Sequence, residues 1–261
     1  MARSPEQNRV ARERSRESLL EAAIDVFAER GIDGATIADI TGRAGVAQGL
    51  VNYYFGGKEQ LVQAVIDRWF EMLLGIAHSG PTADPGSAAR GEEIAARPEP
   101  ESEPATEPEQ PESERVPPPS AASLPPEVRL AAIIDTALGM TAVALPLQRV
   151  VIALQQQPTT RALFAEGERR HMAGVIAAED AVRSIFRDRG DADPALEEIM
   201  LRSVLDGIVG QRIMYGDSYP LEEARRWVHR RYGLPEPEAP LPGMTKPTPG
   251  SGSELRARAS R

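Results

Sequence analysis

Residues 81–127 hold 12 of the chain's 23 prolines, 3 Lys/Arg and 11 Asp/Glu, and the stretch from Arg97 to Pro119 within them has almost no apolar side chain. Such a stretch cannot bury enough surface to offset the entropy of ordering it. It reads as a disordered Pro/Glu-rich insert that divides the 261-residue chain and belongs to neither core. Closing a long flexible loop costs little more than closing a short one, so the flanking parts remain free to pack on each other. Residues 233–261 have the same character, with Pro235, Pro237, Pro240, Pro242, Pro247 and Pro249 ahead of Gly250-Ser251-Gly252-Ser253. They read as a disordered tail.

The remainder, residues 17–80 and 128–232, is long enough for a sizeable core. It shows no sustained period-2 alternation and no hairpin turn, and apolar residues recur at helical spacing throughout. The fold class is all-α. The spacing predicts helices over Ser15–Arg30, stopped by Gly31, then from Thr36 to Ala44–Gly45, Gln48–Tyr54 and Lys58–His78. Beyond the insert it predicts Val128–Leu145, Pro146–Gln157, Arg161–Arg189 with a break near Gly167, Ala195–Tyr215 and Leu221–Tyr232.

Charge and composition exclude several classes. With no cysteine there is no disulfide, thiolate metal site or cysteine nucleophile. His78, His171 and His229 share no ligand spacing, so no metal is expected. No glycine-rich phosphate loop or local catalytic signature appears, so neither an enzyme nor a cofactor is expected. The longest uncharged apolar stretch, Thr136 to Gln148, is 13 residues, too short to span a bilayer. The opening residues carry Arg3, Glu6, Arg9 and Arg12 in place of an apolar signal core, which predicts a cytoplasmic protein without membrane contact. The net charge of -9 is concentrated in residues 81–127, so it does not exclude a polyanionic partner. Residues 1–16 read as a basic flexible arm suited to phosphates or a groove.

Thr36-Ile37-Ala38-Asp39 matches a capping box. Ile37, Ile40 and Ala44 then face inward, Gly45 permits a tight turn, and Val51 with Phe55 anchor a second short helix. Two short helices joined by such a turn make a helix-turn-helix. The second begins Gln48-Gly49, where small and polar residues allow approach to base edges and phosphates. Asn52, Tyr53, Tyr54 and Lys58 follow on the outward side. A packing corner of an ordinary bundle does not require that combination.

Phe27-Ala28-Glu29-Arg30-Gly31 through Thr36-Ile37-Ala38-Asp39-Ile40, with Gly45-Val46-Ala47-Gln48-Gly49-Leu50-Val51-Asn52-Tyr53-Tyr54-Phe55-Gly56-Gly57-Lys58, resembles the N-terminal domain of TetR-family transcriptional regulators over about residues 15–75. Asn52 and Tyr54 stand where that family often has Tyr and His. The resemblance implies a helix-turn-helix domain at 17–57, a linking helix at 58–80 and a ligand-binding and dimerisation bundle at 128–232. It also implies a homodimer that binds a near-palindromic operator, most simply as a repressor, and is released by a small molecule. Thr36, Tyr54 and Lys58 would contact phosphate, Gln48 and Gly49 base edges, and Asn52 and Tyr53 either. Arg43 is a further candidate for DNA contact.

The second half carries fewer signals. Leu205-Asp206-Gly207 through Tyr219-Pro220-Leu221-Glu222-Glu223-Ala224 also resembles the closing helix pair of the family, which implies a dimer interface using Leu201, Val204, Leu205, Ile208, Val209 and Trp227. Met140, Gln148, Gln155 and His171 are candidate effector contacts, since an apolar pocket needs a few polar groups. Arg225, Arg226, Arg230 and Arg231 read as a solvated face, as do the acids Glu197-Glu198 and Glu222-Glu223. The alternative to DNA binding is a helical protein-interaction adaptor, which would not need Gln48, Tyr53, Tyr54 and Lys58 on one exposed face.

Overall fold

The structure, a computed structural model, describes residues 5–78 and 123–241. Most of the insert and residues 242–261 lie outside the described residues. The helices, in chain order, are α1 (Pro5–Gly34), α2 (Ile37–Ala44), α3 (Gly49–Phe55), α4 (Lys58–His78), α5 (Pro126–Val143), α6 (Leu145–Gln156), α7 (Pro158–Arg189), α8 (Pro194–Tyr215) and α9 (Leu221–Arg231). No strand occurs among the described residues, as the spacing predicts.

One contiguous apolar core joins both parts. Leu19, Phe27, Ile40, Val51 and Leu61 fill the first part, and Ile66, Phe70, Leu130, Leu138, Leu154 and Phe186 continue it into the second. Helix α4 lies along α7, and α1 lies along α2 and α6. Two glycines of α7 let α4 come close. A Cβ on Gly174 would sit 2.7 Å from Leu74 Cδ1, and one on Gly167 would overlap Ile66 Cγ2. Gly167 therefore marks a close helix crossing inside an unbroken α7, in place of the expected break.

Two segments expected to be irregular are ordered. Residues 5–16 extend α1, although they read as a flexible arm. Their Arg, Glu, Gln and Ala are good helix formers. Arg9 pairs with Glu13 at 2.7 Å one turn on, and the Arg16 guanidinium lies 5.1 Å from the Phe55 ring centre. Residues 233–241, expected as tail, dock on the bundle with Leu234 and Leu241 buried. Their backbone is held by α9: Arg225 Nη1 donates to Ala239 O at 2.7 Å, and Leu241 N donates to Glu222 Oε1 at 2.6 Å.

Among the described residues no single helix is long and apolar enough to cross a membrane; α5 and α6 pass that test only as a pair bent by 94°. Both contribute core residues to the bundle.

Candidate functional site

The helix-turn-helix is fixed by local chemistry at each end of α2. Thr36 Oγ1 accepts from Asp39 N at 3.1 Å, and Thr36 N donates to Asp39 Oδ2 at 3.0 Å, completing the capping box. The Thr36 hydroxyl also donates to Asp39 Oδ2 at 2.7 Å, and Arg30 donates to Oδ1 at 2.7 Å. The hydroxyl and backbone N–H of Thr36, with Arg30 beside them, hold the Asp39 carboxyl below its usual range. At the other end Gly45 takes φ 67°, and Val46 N returns to Thr41 O at 3.0 Å, which closes the corner as a C-terminal glycine cap. The chain leaves α3 through Gly56, whose N–H bonds Asn52 O at 3.0 Å.

This frame turns Val51 into the core and leaves Gln48, Gly49, Asn52 and Tyr53 exposed on one side of α3. Tyr53 is 64% exposed, an unusual setting for an aromatic side chain without a partner surface. Its ring meets Tyr54 edge-on at 4.9 Å, and Tyr54 packs half-buried against the core. Lys58 is half-buried at the start of α4. None of these side chains donates to or accepts from another described residue, so their polar groups are available to a partner. Small and polar residues at a helix start are what a major groove admits.

A second feature lies among α4 to α8. A cavity of about 180 Å³ is lined by Trp69, Ile133, Leu138, Gln148, Leu201 and Asp206, among others. A more polar one of about 330 Å³ adjoins it and shares Trp69, Gln148, Asp206 and Val209. Gln148 is 3% exposed, yet its Oε1 has no hydrogen-bond partner. Such an atom carries a desolvation cost of about 1–3 kcal/mol until something donates to it.

Residues 19–65 match the bacterial regulatory proteins of the tetR family. Over this segment the chain is similar to the TetR family. It is 45% identical over 73 residues to the HTH-type transcriptional repressor Rv3405c of Mycobacterium tuberculosis, covering 28% of this chain and 39% of that protein. It is 36% identical over 70 residues to the HTH-type transcriptional regulator TtgR of Pseudomonas putida, covering 27% and 33%. The chain thus spans about two-fifths or less of the length of these relatives. The fold likeness is broader. The transcriptional regulator FadR of Bacillus subtilis, solved with stearoyl-CoA, superposes with a TM-score of 0.56 at 16% identity, over 88% of this chain and 99% of that one. That likeness shows a shared fold.

Within the matched domain the expected contact residues separate into two groups. Gln48, Gly49, Asn52 and Tyr53 share the outward face, with Tyr54 and Lys58 at its edge. Arg43 instead donates to both Glu29 oxygens, at 2.7 and 2.6 Å, so its guanidinium ties α2 to α1. The Thr36 hydroxyl hydrogen is likewise engaged, by Asp39. Asp39 is the acid of the capping box already read from the sequence, whereas Glu29 lies 14 positions from Arg43, a pairing that local sequence does not reveal.

Beyond that domain the expectations shift further. Gln148 and Gln155 line the cavities. Met140 is fully buried and lines neither. His171 lines neither as well: it stacks on Phe70 at 5.0 Å and faces Asp67 Oδ1 at 3.0 Å. Of the expected interface residues, Leu201, Leu205 and Val209 line a cavity inside the subunit, Ile208 is buried and Val204 is half-buried. Trp227 alone of that set is exposed, at 50%. The outward face of α8 carries Leu196, Ile199, Met200, Met214 and Tyr215 instead. Arg225 and Glu222, expected in solvent, are buried.

Proposed function

We propose that this chain is a transcriptional regulator that binds a near-palindromic duplex as a homodimer and is released by a small molecule. A cytoplasmic repressor is the simplest form of that reading. The observation that carries it is the outward face of α3: Gln48, Gly49, Asn52 and Tyr53 exposed and unpartnered on a TetR-family domain. Gln48 reads a base edge, Gly49 admits close approach, and Asn52, Tyr53, Tyr54 and Lys58 fix the helix on phosphates and neighbouring bases. Arg43 supports α2 from behind.

The exposed apolar face of α8, with Trp227 of α9, supports a two-fold interface. Large apolar side chains clustered on one helix face favour burial against a second copy. Such a dimer would set two recognition helices about 34–36 Å apart, one turn of DNA.

Release follows from packing. The cavity wall includes Trp69, Met72 and Ile76 of α4 and Val151, Ile152 and Gln155 of α6. Helix α4 begins at Lys58, and α6 lies along α1. A ligand that fits the cavity better in a tilted arrangement of α4 and α6 therefore moves α3 off register. A hundredfold loss of DNA affinity needs about 2.7 kcal/mol of such coupling.

Selection of bound duplexes from a random pool, followed by footprinting, tests the reading. Two inverted half-sites about one helical turn apart support it. Enrichment of no common sequence would overturn it.

A further inference from the structure

The charges on the cavity wall do not balance. Four ionisable residues line the more apolar chamber: Glu179, Glu198, Arg202 and Asp206. Arg202 is shared between Glu179 Oε1 at 2.7 Å and Glu198 Oε1 at 3.4 Å. Behind the wall, Arg183 reaches Glu179 at 2.9 Å and Glu198 at 3.5 Å. Arg183 also holds Asp180, off the wall, at 2.9 Å, so three carboxylates share two guanidinium groups, and Asp206 remains without an ion pair or hydrogen bond to a described residue. It is exposed to solvent and lines both chambers. The apolar wall beside it desolvates it in part and pushes its carboxyl up, an effect that nearby Arg202 only partly opposes.

The other polar group common to both chambers is Gln148, whose buried Oε1 lacks a donor. Asp206 and Gln148 Oε1 are acceptors, and the indole of Trp69, also common to both, presents an electron-rich face that attracts cations. Apart from the paired charges and the amides of Gln155 and Gln156 in the second chamber, the remaining wall is apolar. An apolar cavity of about 150 Å³ takes a benzene ring, so chambers of about 180 and 330 Å³ together admit a fused aromatic body.

We propose that the effector is an organic cation: a flat apolar or aromatic body bearing N–H donors, with its charge beside Asp206, a donor on Gln148 Oε1 and its face on Trp69. Anions meet an uncompensated carboxylate and no free guanidinium on this wall. The inference rests on the reading of the cavity as the effector site.

Calorimetry on the full chain, without DNA, tests it with two probes that share one ring system. 9-Aminoacridine is a cation at neutral pH and carries N–H donors; acridine-9-carboxylate is an anion. We expect the cation to bind at least about tenfold more tightly. Asp206→Asn should weaken the cation about tenfold and leave the carboxylate's binding no weaker. Gln148→Leu should also weaken the cation while the melting temperature holds or rises, since the buried oxygen has no partner to lose. Equal affinity for the two probes, preference for the carboxylate, or binding of neither would overturn the inference. Wild-type binding to the selected duplex is measured separately, without a probe. DNA binding with no cation preference overturns this inference alone; cation binding with no DNA binding overturns the regulator reading alone.

Discussion

Arg225 of α9 holds Asp135 of α5 in a fork, with Nε to Oδ1 and Nη2 to Oδ2 both at 2.7 Å. His229 Nε2 joins Oδ1 at 2.8 Å, and His229 Nδ1 faces Pro235 O at 2.6 Å. The group fastens α9 and residues 233–241 to α5. Removing one partner of such a buried pair leaves the other uncompensated and costs about 3–5 kcal/mol. We therefore expect Asp135→Ala to lower the chain's unfolding free energy by about that much, measured by denaturant titration. A loss within the scatter of exposed ion pairs, about 1 kcal/mol or less, would show that the fork does not hold the helices.

The same group sets an acid limit. Burial alone would raise the Asp135 carboxyl, but the bonds from Arg225 and His229 outweigh it and hold the group below its ordinary 3.8. A carboxyl with a lowered folded-state value contributes stability that is present above its unfolded value and is lost as pH falls through the folded one. Wild-type stability should therefore fall as pH drops below about 4, and Asp135→Asn should flatten that part of the profile. An unchanged acid limb in the variant would assign it to other carboxylates.

Gly167→Ala offers a test with opposing terms. Alanine in a helix interior is favoured over glycine by about 1 kcal/mol. Here the added methyl would overlap the stiff, buried Ile66, and overpacking costs about 1–3 kcal/mol. We expect net destabilisation in thermal melts, reversed by the double change Gly167→Ala with Ile66→Val or Ile66→Ala. A single variant more stable than wild type would mean that α4 and α7 do not cross so closely.

The interface prediction follows exposure. Met200 and Met214 are 49% and 70% exposed on α8, so Met200→Glu and Met214→Glu should fold and sediment as monomers if this face joins two copies. Val209→Glu instead places a charge in the cavity wall and should weaken folding before it affects association. Dimers that survive both methionine changes would move the interface elsewhere.

The helix-turn-helix was legible because its signals are local. The Thr36–Asp39 cap, the Gly45 corner and the apolar anchors Val51 and Phe55 act within a few residues of one another, and the structure places each as read. The second half was less legible because its signals are long-range. Leu201, Leu205 and Val209 form as good an apolar stripe as Leu196 and Met200, and periodicity cannot say which stripe meets a cavity inside the subunit and which faces out. Arg225 looks like its neighbours Arg226 and Arg230 until Asp135, 90 positions away, is folded against it. Leu234 and Leu241 lie in a proline-rich run that propensity reads as tail, and docking on α9 overrides that reading.

The division of labour on α3 and α4 can be measured directly. Titrations of the selected duplex and of single-base variants, each over a range of salt concentrations, compare wild type with Gln48→Ala and Lys58→Ala. We expect Gln48→Ala to lose about 1–3 kcal/mol on the preferred duplex and to relax discrimination at one position of each half-site. Lys58→Ala should weaken every duplex alike and reduce the salt slope. Base preference unchanged in Gln48→Ala but altered in Lys58→Ala would contradict the assignment of α3 as the element that reads sequence.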